Sequence, residues 1–388
     1  MCVTSARGFR ASGVTAGLKA SGRPDVAVVV NDGPLQAAAG VFTSNRFPAA
    51  PVLWSRQVLL DGEFHAVVLN SGGANACTGP DGFADTHRTA EHVAGALARG
   101  GRDVGAGEVA VCSTGLIGER LPMDLLLAGV DAAVETLSVT GGDDAATAIM
   151  TTDSVPKTAA VSRDGFTVGG MAKGAGMLAP GLATMLVVLT TDAVANAAAL
   201  GSALGSATRR TFDRIDSDGC MSTNDTVLLL ASGASGIAPS PDELAGSVLA
   251  VCDDLARQLI HDAEGASKDI RIDVVNAATE DEAVEAARAV SRSNLLKCAI
   301  HGEDPNWGRV LAALGTTAAA FEPDAVDVAI NGVWVCRAGS VGDDRSHVDM
   351  SAREVSLTVD LHAGEAAATV WTNDLTAAYV HENSAYST

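Results

Sequence analysis

The chain alternates short apolar runs with longer segments that mix apolar and polar residues. Runs rich in Val, Ile and Leu between turn residues predict buried strands, and many of the segments between them predict helices. The predicted strands cover residues 26–30, 66–69, 108–112, 158–162, 166–169, 185–189, 226–230, 269–275, 326–330, 333–336, 355–361 and 367–371. The predicted helices cover residues 82–99, 122–138, 143–150, 194–212 and 242–260, and Thr279-x-x-Glu282 predicts a capping box at the start of another helix. Together with the length, this alternation predicts one large α/β unit or two or three domains.

One glycine-rich run, residues 169–192, stands apart from this alternation. It reads GGMAKGAGMLAPGLATMLVVLTTD and places Lys173 and Pro180 before Thr184, where a flexible loop becomes an apolar strand. Glycine and proline at such a junction hold the threonine hydroxyl and amide in place. On spacing alone the run is a glycine-rich loop that leads into a core strand. Its proline and glycines argue against a membrane span, and the glycine after Lys173, where a phosphate loop needs Ser or Thr, argues against a nucleotide site.

Charge and cysteine content exclude several classes of function. The 388-residue chain carries 26 Lys and Arg against 47 Asp and Glu, a net charge of −21. We therefore expect neither nucleic acid nor an anionic membrane surface as a partner. The seven cysteines are odd in number and include no C-x-x-C pair, which predicts reduced thiols and a cytoplasmic location. No apolar run follows the first residues, so we expect no secretion signal.

Polar loops at the ends of strands and helices supply candidate residues. The loop at residues 70–79 precedes a predicted helix, and amides at a helix N-terminus can hold a carboxylate or an oxyanion. Taken alone, Ser113-Thr114-Gly115 indicates no more than a turn. Asp262 and Glu264 follow a predicted helix C-terminus, where the helix dipole disfavours carboxylates. Glu264 should therefore meet a cation or a substrate amine there, unless it is simply exposed to solvent.

Two further polar loops favour structural roles. Asp213, Asp216, Asp218 and Asp225 could suggest a cation site, but they lack the glutamate-terminated spacing of a calcium loop and have no histidine nearby. An ordered, turn-rich loop is the favoured interpretation, and no metal is expected. His301 opens the polar loop 301–309, where a single histidine is more often a hydrogen-bonded structural residue than a base.

Seven sequence blocks together resemble the ornithine acetyltransferase family, which makes and recycles N-acetylglutamate in arginine biosynthesis. In chain order the blocks are STGLIG, AIMTTDSVPK, KGAGMLAPGLATML, DSDGCMSTNDT, HDAEGASK, HGEDPNWGR and DLTAAYVHENSAYST. They keep the family's order along nearly the whole chain, so the resemblance is specific. It implies an α/β fold built as a layered α-β-β-α sandwich of the N-terminal-nucleophile type.

The resemblance also implies roles for particular residues. The family's precursor cuts itself before the threonine of the ATML element, here between Ala183 and Thr184, to give an α chain of residues 1–183 and a β chain of residues 184–388. Thr184 becomes the nucleophile, and Thr114 and Gly115 match the family's oxyanion positions. The implied substrate-binding residues are Thr151 or Thr152, Lys173, Thr184, Glu264, Asn383 and Thr388. The family usually has asparagine where this chain has Gly73. No cofactor is implied, and the fragments are expected to assemble as a heterotetramer or larger.

A self-cleaved threonine accounts for the expected chemistry. A threonine hydroxyl needs a base, and the freed α-amine of Thr184, with an ordinary pKa of about 7.7 to 8.0, supplies it in the same residue. The expected reaction is a ping-pong transfer of the acetyl group from N2-acetylornithine to glutamate through acetyl-threonine, and the resemblance allows acetyl-CoA as a second donor. Two alternatives stay open: an N-terminal-nucleophile amidase or aminopeptidase that passes the acyl group to water, and a catalytically silent binding protein that stays uncut.

Overall fold

The structure is a computed structural model that describes residues 2–179 and 185–385. Its strands are β1 (Phe9–Val14), β2 (Val26–Asn31), β3 (Ala38–Phe42), β4 (Ala66–Ser71), β5 (Val109–Thr114), β6 (Lys157–Arg163), β7 (Phe166–Lys173), β8 (Leu186–Thr191), β9 (Thr226–Ala231), β10 (Asp269–Ala277), β11 (Asp327–Ile330), β12 (Val333–Arg337), β13 (Ser340–Val341), β14 (Glu354–Asp360) and β15 (Ala366–Asn373). Its helices are α1 (Ala50–Val58), α2 (Gly79–Arg99), α3 (Met123–Glu135), α4 (Gly142–Ala148), α5 (Ala197–Arg210), α6 (Pro241–His261), α7 (Glu280–Ser291), α8 (Asn294–His301), α9 (Trp307–Leu314) and α10 (Ala377–Ala385). In this part of the chain, no helix has the length and apolarity that a membrane crossing requires.

Two sheets face each other in the first two thirds of the chain. One has the strand order β1-β2-β4-β5, with β4 and β5 parallel and the other pairs antiparallel. The other has the order β3-β9-β8-β7-β6, with β8 and β9 parallel and the other pairs antiparallel. The packing of the two sheets brings the ends of β5 and β7 together, where the side chains of Thr114 and Lys173 are in contact.

Apolar side chains fill the space between these two sheets and cover their outer faces. The inner layer includes Phe9, Val29 and Leu69 from one sheet and Met171, Val188 and Leu228 from the other. Helices α2 and α3 pack on the outer face of the four-stranded sheet, and α5 and α6 pack on that of the five-stranded sheet. Burial on both faces explains why β2, β4, β5, β8 and β9 read as continuous apolar runs. The four layers confirm the α-β-β-α sandwich that the resemblance implied.

A third sheet lies outside the sandwich, and the sequence did not indicate its place. Its order is β13-β12-β11-β14-β10-β15, and its long strands alternate between buried and more exposed positions. Helices α7 and α9 contribute Ala287, Val290, Val310 and Leu314 to the apolar layer on one face. The alternation follows from this one-sided packing, because side chains on a strand point to opposite faces in turn.

Two sequence predictions in this third unit are corrected in detail. The polar loop expected at residues 301–309 is shorter, because His301 ends α8 and Trp307 begins α9. The capping box before α7 is only half formed. Thr279 Oγ1 accepts a hydrogen bond from the Glu282 amide at 3.2 Å, but the Glu282 carboxylate accepts one from the Ala320 amide at 3.2 Å. A tertiary contact thus takes the side chain that the local motif would have used.

Candidate active site

The ends of β5 and β7 bring two of the predicted site residues together. Thr114 ends β5 and Lys173 ends β7, and both side chains are buried. Lys173 Nζ donates to Thr114 Oγ1 across 3.4 Å. Lys173 also pairs with Leu186 in the β7–β8 ladder, so the chain that follows the predicted nucleophile starts beside this lysine. Ala183 and Thr184 themselves lie outside the described residues.

The turn after β5 depends on glycine. Gly115 has a φ of +129°, and a Cβ at this position would lie 2.6 Å from the amide nitrogen of Gly73. The Thr114 carbonyl accepts hydrogen bonds from the amides of Gly72 and Gly73, each at 3.0 Å. Two amides of the loop at residues 70–79 therefore support the turn.

A buried carboxylate stands between Lys173 and a second lysine. Asp153 Oδ1 accepts from Lys157 Nζ at 2.7 Å and from the Gly174 amide at 2.7 Å. Burial alone would raise the pKa of Asp153, but the charges of Lys173 and Lys157 outweigh burial and lower that pKa to about 2. Burial lowers the pKa of the Lys173 ammonium, and the charge of Asp153 opposes this shift. Asp153 therefore helps to keep Lys173 charged in a site away from water.

Lys157 extends this arrangement to the end of α6. Its Nζ donates to Asp262 Oδ2 at 2.6 Å as well as to Asp153, and its side chain is fully buried. Asp262 also accepts from the Ser154 amide at 3.0 Å. One ammonium thus joins the loop at residues 151–155 to the segment that leads into Glu264. Sequence reasoning missed Lys157, because a lysine at the start of a strand carries no local sign of burial.

Glu264 is held by two neutral donors from distant parts of the chain. Thr152 Oγ1 donates to Glu264 Oε1 at 2.7 Å, and Asn383 Nδ2 on α10 donates to Glu264 Oε2 at 2.9 Å. Glu264 donates its own amide hydrogen to the Ala175 carbonyl at 3.0 Å. A Cβ at Gly176 would lie 2.6 Å from the carboxylate, so the glycine-rich run makes room for it. Within the described residues, Glu264 does not form the ion pair that its position after a helix suggested.

These contacts distinguish the two candidate threonines. Thr152 directs its hydroxyl to Glu264, whereas Thr151 donates its backbone amide to Asp153 Oδ2 at 2.9 Å. Asn383 reaches the same carboxylate as Thr152. Thr388, the last predicted binding residue, lies outside the described residues. One region of the molecule thus brings together six of the predicted site residues: Thr114, Gly115, Thr152, Lys173, Glu264 and Asn383.

The acidic loop after α5 divides its carboxylates among separate partners. Asp216 pairs with Arg292 at 2.7 Å, and Asp218 Oδ2 accepts from the Met177 amide at 2.7 Å. Asp225 is fully buried and accepts from the Met185 amide at 3.1 Å; burial raises its pKa well above the ordinary value. Asp225 therefore anchors the residue that directly follows Thr184, a role that its sequence context did not reveal.

His301 takes part in a structural cluster. Its Nδ1 lies 2.9 Å from Asp374 Oδ2, and Asp374 also accepts from the amides of Ser267 and Lys268 at 2.9 and 2.8 Å. The contacts join the end of β15 to the start of β10 and agree with the structural interpretation of this histidine.

Comparison with known proteins gives the family. The model of the ArgJ family matches residues 10–388. The chain is 70% identical over 387 residues to the arginine biosynthesis bifunctional protein ArgJ of Streptomyces coelicolor, with 100% of each chain covered. It is 63% identical over 388 residues to the ArgJ protein of Thermobifida fusca, again with 100% of each covered. A solved chain of the ornithine acetyltransferase of Mycobacterium tuberculosis, complexed with ornithine, is 63% identical, with 48% of this chain and 96% of that chain covered and a TM-score of 0.46. The chain therefore belongs to the ArgJ family, which confirms the resemblance to the ornithine acetyltransferases that its sequence blocks indicated.

Proposed function

We propose that the chain is a glutamate N-acetyltransferase of arginine biosynthesis, which moves the acetyl group of N2-acetylornithine to glutamate. Membership of the ArgJ family supports this function, as do the relatives named arginine biosynthesis bifunctional protein. The observation that carries the proposal is the meeting of Thr114, Lys173 and Glu264 around the start of β8. These residues supply a hydroxyl, a cation and a carboxylate, which are the groups that an acetylated amino acid with a charged side chain requires.

The proposed nucleophile is Thr184, freed by cleavage of the bond between Ala183 and Thr184. The cut divides the chain into residues 1–183 and 184–388. Two contacts support this position: Leu186 pairs with Lys173, and the Met185 amide is bound by the buried Asp225. Both fix the chain immediately after the proposed cut next to the lysine and the β5 turn. A free N-terminal amine at this point would be the base for its own hydroxyl.

The proposed reaction has two half-reactions. In the first, Thr184 Oγ attacks the acetyl carbonyl of N2-acetylornithine while the α-amine of Thr184 takes the hydroxyl proton. Thr114 and Gly115 stabilise the oxyanion of the tetrahedral intermediate. The C–N bond then breaks, the proton passes to the leaving α-amine, and ornithine departs from an acetyl-threonine ester. In the second half-reaction the amine of glutamate attacks this ester, and the threonine hydroxyl is restored.

The charged side chains are assigned to the two ends of the substrate. Lys173 pairs with the α-carboxylate, which both amino acids share. The α-amine of the donor is acetylated, so its one free ammonium is the distal one, and we assign Glu264 to it. Thr152 and Asn383 orient the Glu264 carboxylate through their hydrogen bonds of 2.7 and 2.9 Å. Thr388 is the remaining proposed contact.

The proposal also covers the assembly of the two fragments, a second acetyl donor and the location of the protein. The two fragments remain paired and associate as a heterotetramer or larger. Acetyl-CoA is a second acetyl donor, an activity supported by the word bifunctional in the names of the relatives. The cysteine pattern, without a C-x-x-C pair, supports a cytoplasmic location.

The fate of the acetyl group tests the proposal. Purified protein is incubated with acetyl-labelled N2-acetylornithine and glutamate, and free acetate and N-acetylglutamate are measured. We expect the label in N-acetylglutamate, with ornithine released in equal amount. Label that appears mainly in free acetate, at a rate unaffected by glutamate, would instead identify an amidase. A parallel reaction with labelled acetyl-CoA and glutamate tests the second donor.

A further inference from the structure

A cavity of about 260 Å³ opens beside Glu264. The acidic loop after α5, helix α8, the end of β15 and helix α10 enclose it. Its charged lining consists of Glu264, Asp218, Asp374, Arg292 and Lys297. Glu264 thus belongs to both the cavity and the candidate active site.

Lys297 is the buried cation of the cavity. It lies on α8, and only 5% of its surface is exposed. Its Nζ donates to the Thr372 hydroxyl at 3.0 Å and to the Ser217 carbonyl. An ammonium carries three donors, and these two bonds are the ones that the described residues provide. Lys297 can therefore still donate to a ligand in the cavity.

The two amino acids of the proposed reaction have opposite charges at this point. The donor ends in an ammonium, which suits the carboxylates of Glu264 and Asp218. Glutamate ends in a carboxylate, and the same two side chains would repel it. A site that accepts both in turn needs a cation within reach of the same cavity, and a buried charge without a partner costs far more than a paired one.

We propose that this cavity is the subsite for the distal end of both substrates, in which Lys297 receives the side-chain carboxylate of glutamate while Glu264 and Asp218 receive the distal ammonium of ornithine. The inference rests on the proposed function and adds a residue that selects the acceptor. Burial lowers the pKa of Lys297 to about 8, against the opposing charges of Asp216 and Asp218. The ammonium is therefore still largely charged at neutral pH.

The test compares glutamate with glutamine, which has the same shape but a neutral end. In Lys297→Met, we expect the ratio of kcat/KM for glutamate over glutamine to fall by about ten- to a hundredfold, the value of a hydrogen bond to a charged group. Ornithine release from N2-acetylornithine should change by less than about threefold. Lys268→Met is the matched control, because Lys268 is also buried but its Nζ contacts Glu303 at 2.9 Å, outside the cavity. Its ratio should match that of the wild type.

A second variant tests the carboxylate side of the subsite. Asp218→Asn should slow ornithine release and raise the glutamate-to-glutamine ratio, because one of the two carboxylates that repel the distal carboxylate of glutamate is lost. The proposal is overturned if Lys297→Met keeps the wild-type ratio, or if it slows both half-reactions equally at an unchanged ratio. A wild-type protein that releases no ornithine from N2-acetylornithine would instead contradict the proposed function, so the two failures are distinguishable.

Discussion

The sandwich and the six-stranded sheet bury their strands in different ways. The central strands of the sandwich are buried at every position, whereas β10 and β14 alternate between buried and more exposed positions. Sheets covered on both faces leave little water for a charged group, so any charge there must be paired. The proposed reacting groups lie at the strand ends of the dry region, and the outer unit supplies side chains such as Lys297 and Asn383 to the edge of the site.

Ion pairs show the same contrast. The Lys157 pair with Asp153 in the sandwich has both side chains at 0% exposure. The pair between Arg271 and Asp273 on β10, with a separation of 2.9 Å, leaves 41% of the arginine exposed. Protein groups alone satisfy the Lys157 ammonium, whereas the Arg271 guanidinium also contacts solvent.

Removing the buried ammonium of Lys157 should have the largest effect, a loss of stability. Lys157→Met removes the ammonium that binds both Asp153 and Asp262, and we expect a loss of about 3–5 kcal/mol in the free energy of unfolding. Arg271→Met should cost less than about 1 kcal/mol, since its pair is screened by water. Guanidinium denaturation of both variants measures the difference. Equal losses would show that the two regions do not differ in this respect.

Loss of a hydrogen-bond donor to the oxyanion should have the second largest effect, a fall in kcat. We expect Thr114→Val to lower kcat for ornithine release by about 100- to 1000-fold, because one donor to the developing charge is lost. Thr369→Val is the control from the outer sheet, where the hydroxyl donates to Asp273 at 2.7 Å. It should leave kcat unchanged. A Thr114→Val enzyme with wild-type kcat would remove this residue from the proposed mechanism.

The buried Asp153 of the sandwich should contribute to the stability of the protein in acid. The folded pKa of Asp153, about 2, lies below its ordinary value of 3.8. The ionised carboxylate therefore stabilises the folded protein above pH about 4, and this contribution of about 2 kcal/mol is lost as the pH falls towards 2. Asp153→Asn should flatten the pH dependence of unfolding in that window. Unchanged pH dependence would show that Asp153 is not the titrating group.

The smallest effect compares two adjacent threonines. Thr152→Val removes the hydroxyl that donates to Glu264, and we expect KM for N2-acetylornithine to rise by about tenfold. Thr151→Val should have little effect, since Thr151 is held through its backbone amide. The reverse order of effects would mean that Thr151 is the threonine that contacts the substrate.

Sequence reasoning predicted seven of the nine sandwich strands, because their signal is local, but it missed β1 and β3. Runs such as the valines of β2 are buried on both faces, and they read as strands without knowledge of their partners. The placement of the third sheet could not be predicted, since it depends on which face packs against α7 and α9. Propensity and spacing describe the individual elements but not how they are arranged.

The residues of the candidate site were predicted mainly from the family resemblance. The roles of Thr114, Lys173 and Asn383 were predicted from family blocks, whereas the place of Glu264 after a helix C-terminus also indicated a site. No spacing rule would join Glu264 to Asn383, which lies 119 positions later. Lys157 and Lys297 were missed because lysines usually lie at the surface. Their burial results from contacts with Asp262 and Ser217, 105 and 80 residues away.

Intact-mass measurement with N-terminal sequencing tests the central claim most directly. The wild-type protein should contain fragments 1–183 and 184–388, the second beginning at Thr184 and becoming one acetyl group heavier after incubation with N2-acetylornithine without glutamate. Thr184→Ala should remain one uncut chain that takes up no acetyl group. A wild-type protein that transfers acetyl groups as a single uncut chain, or a Thr184→Ala protein that is both cut and active, would contradict the account.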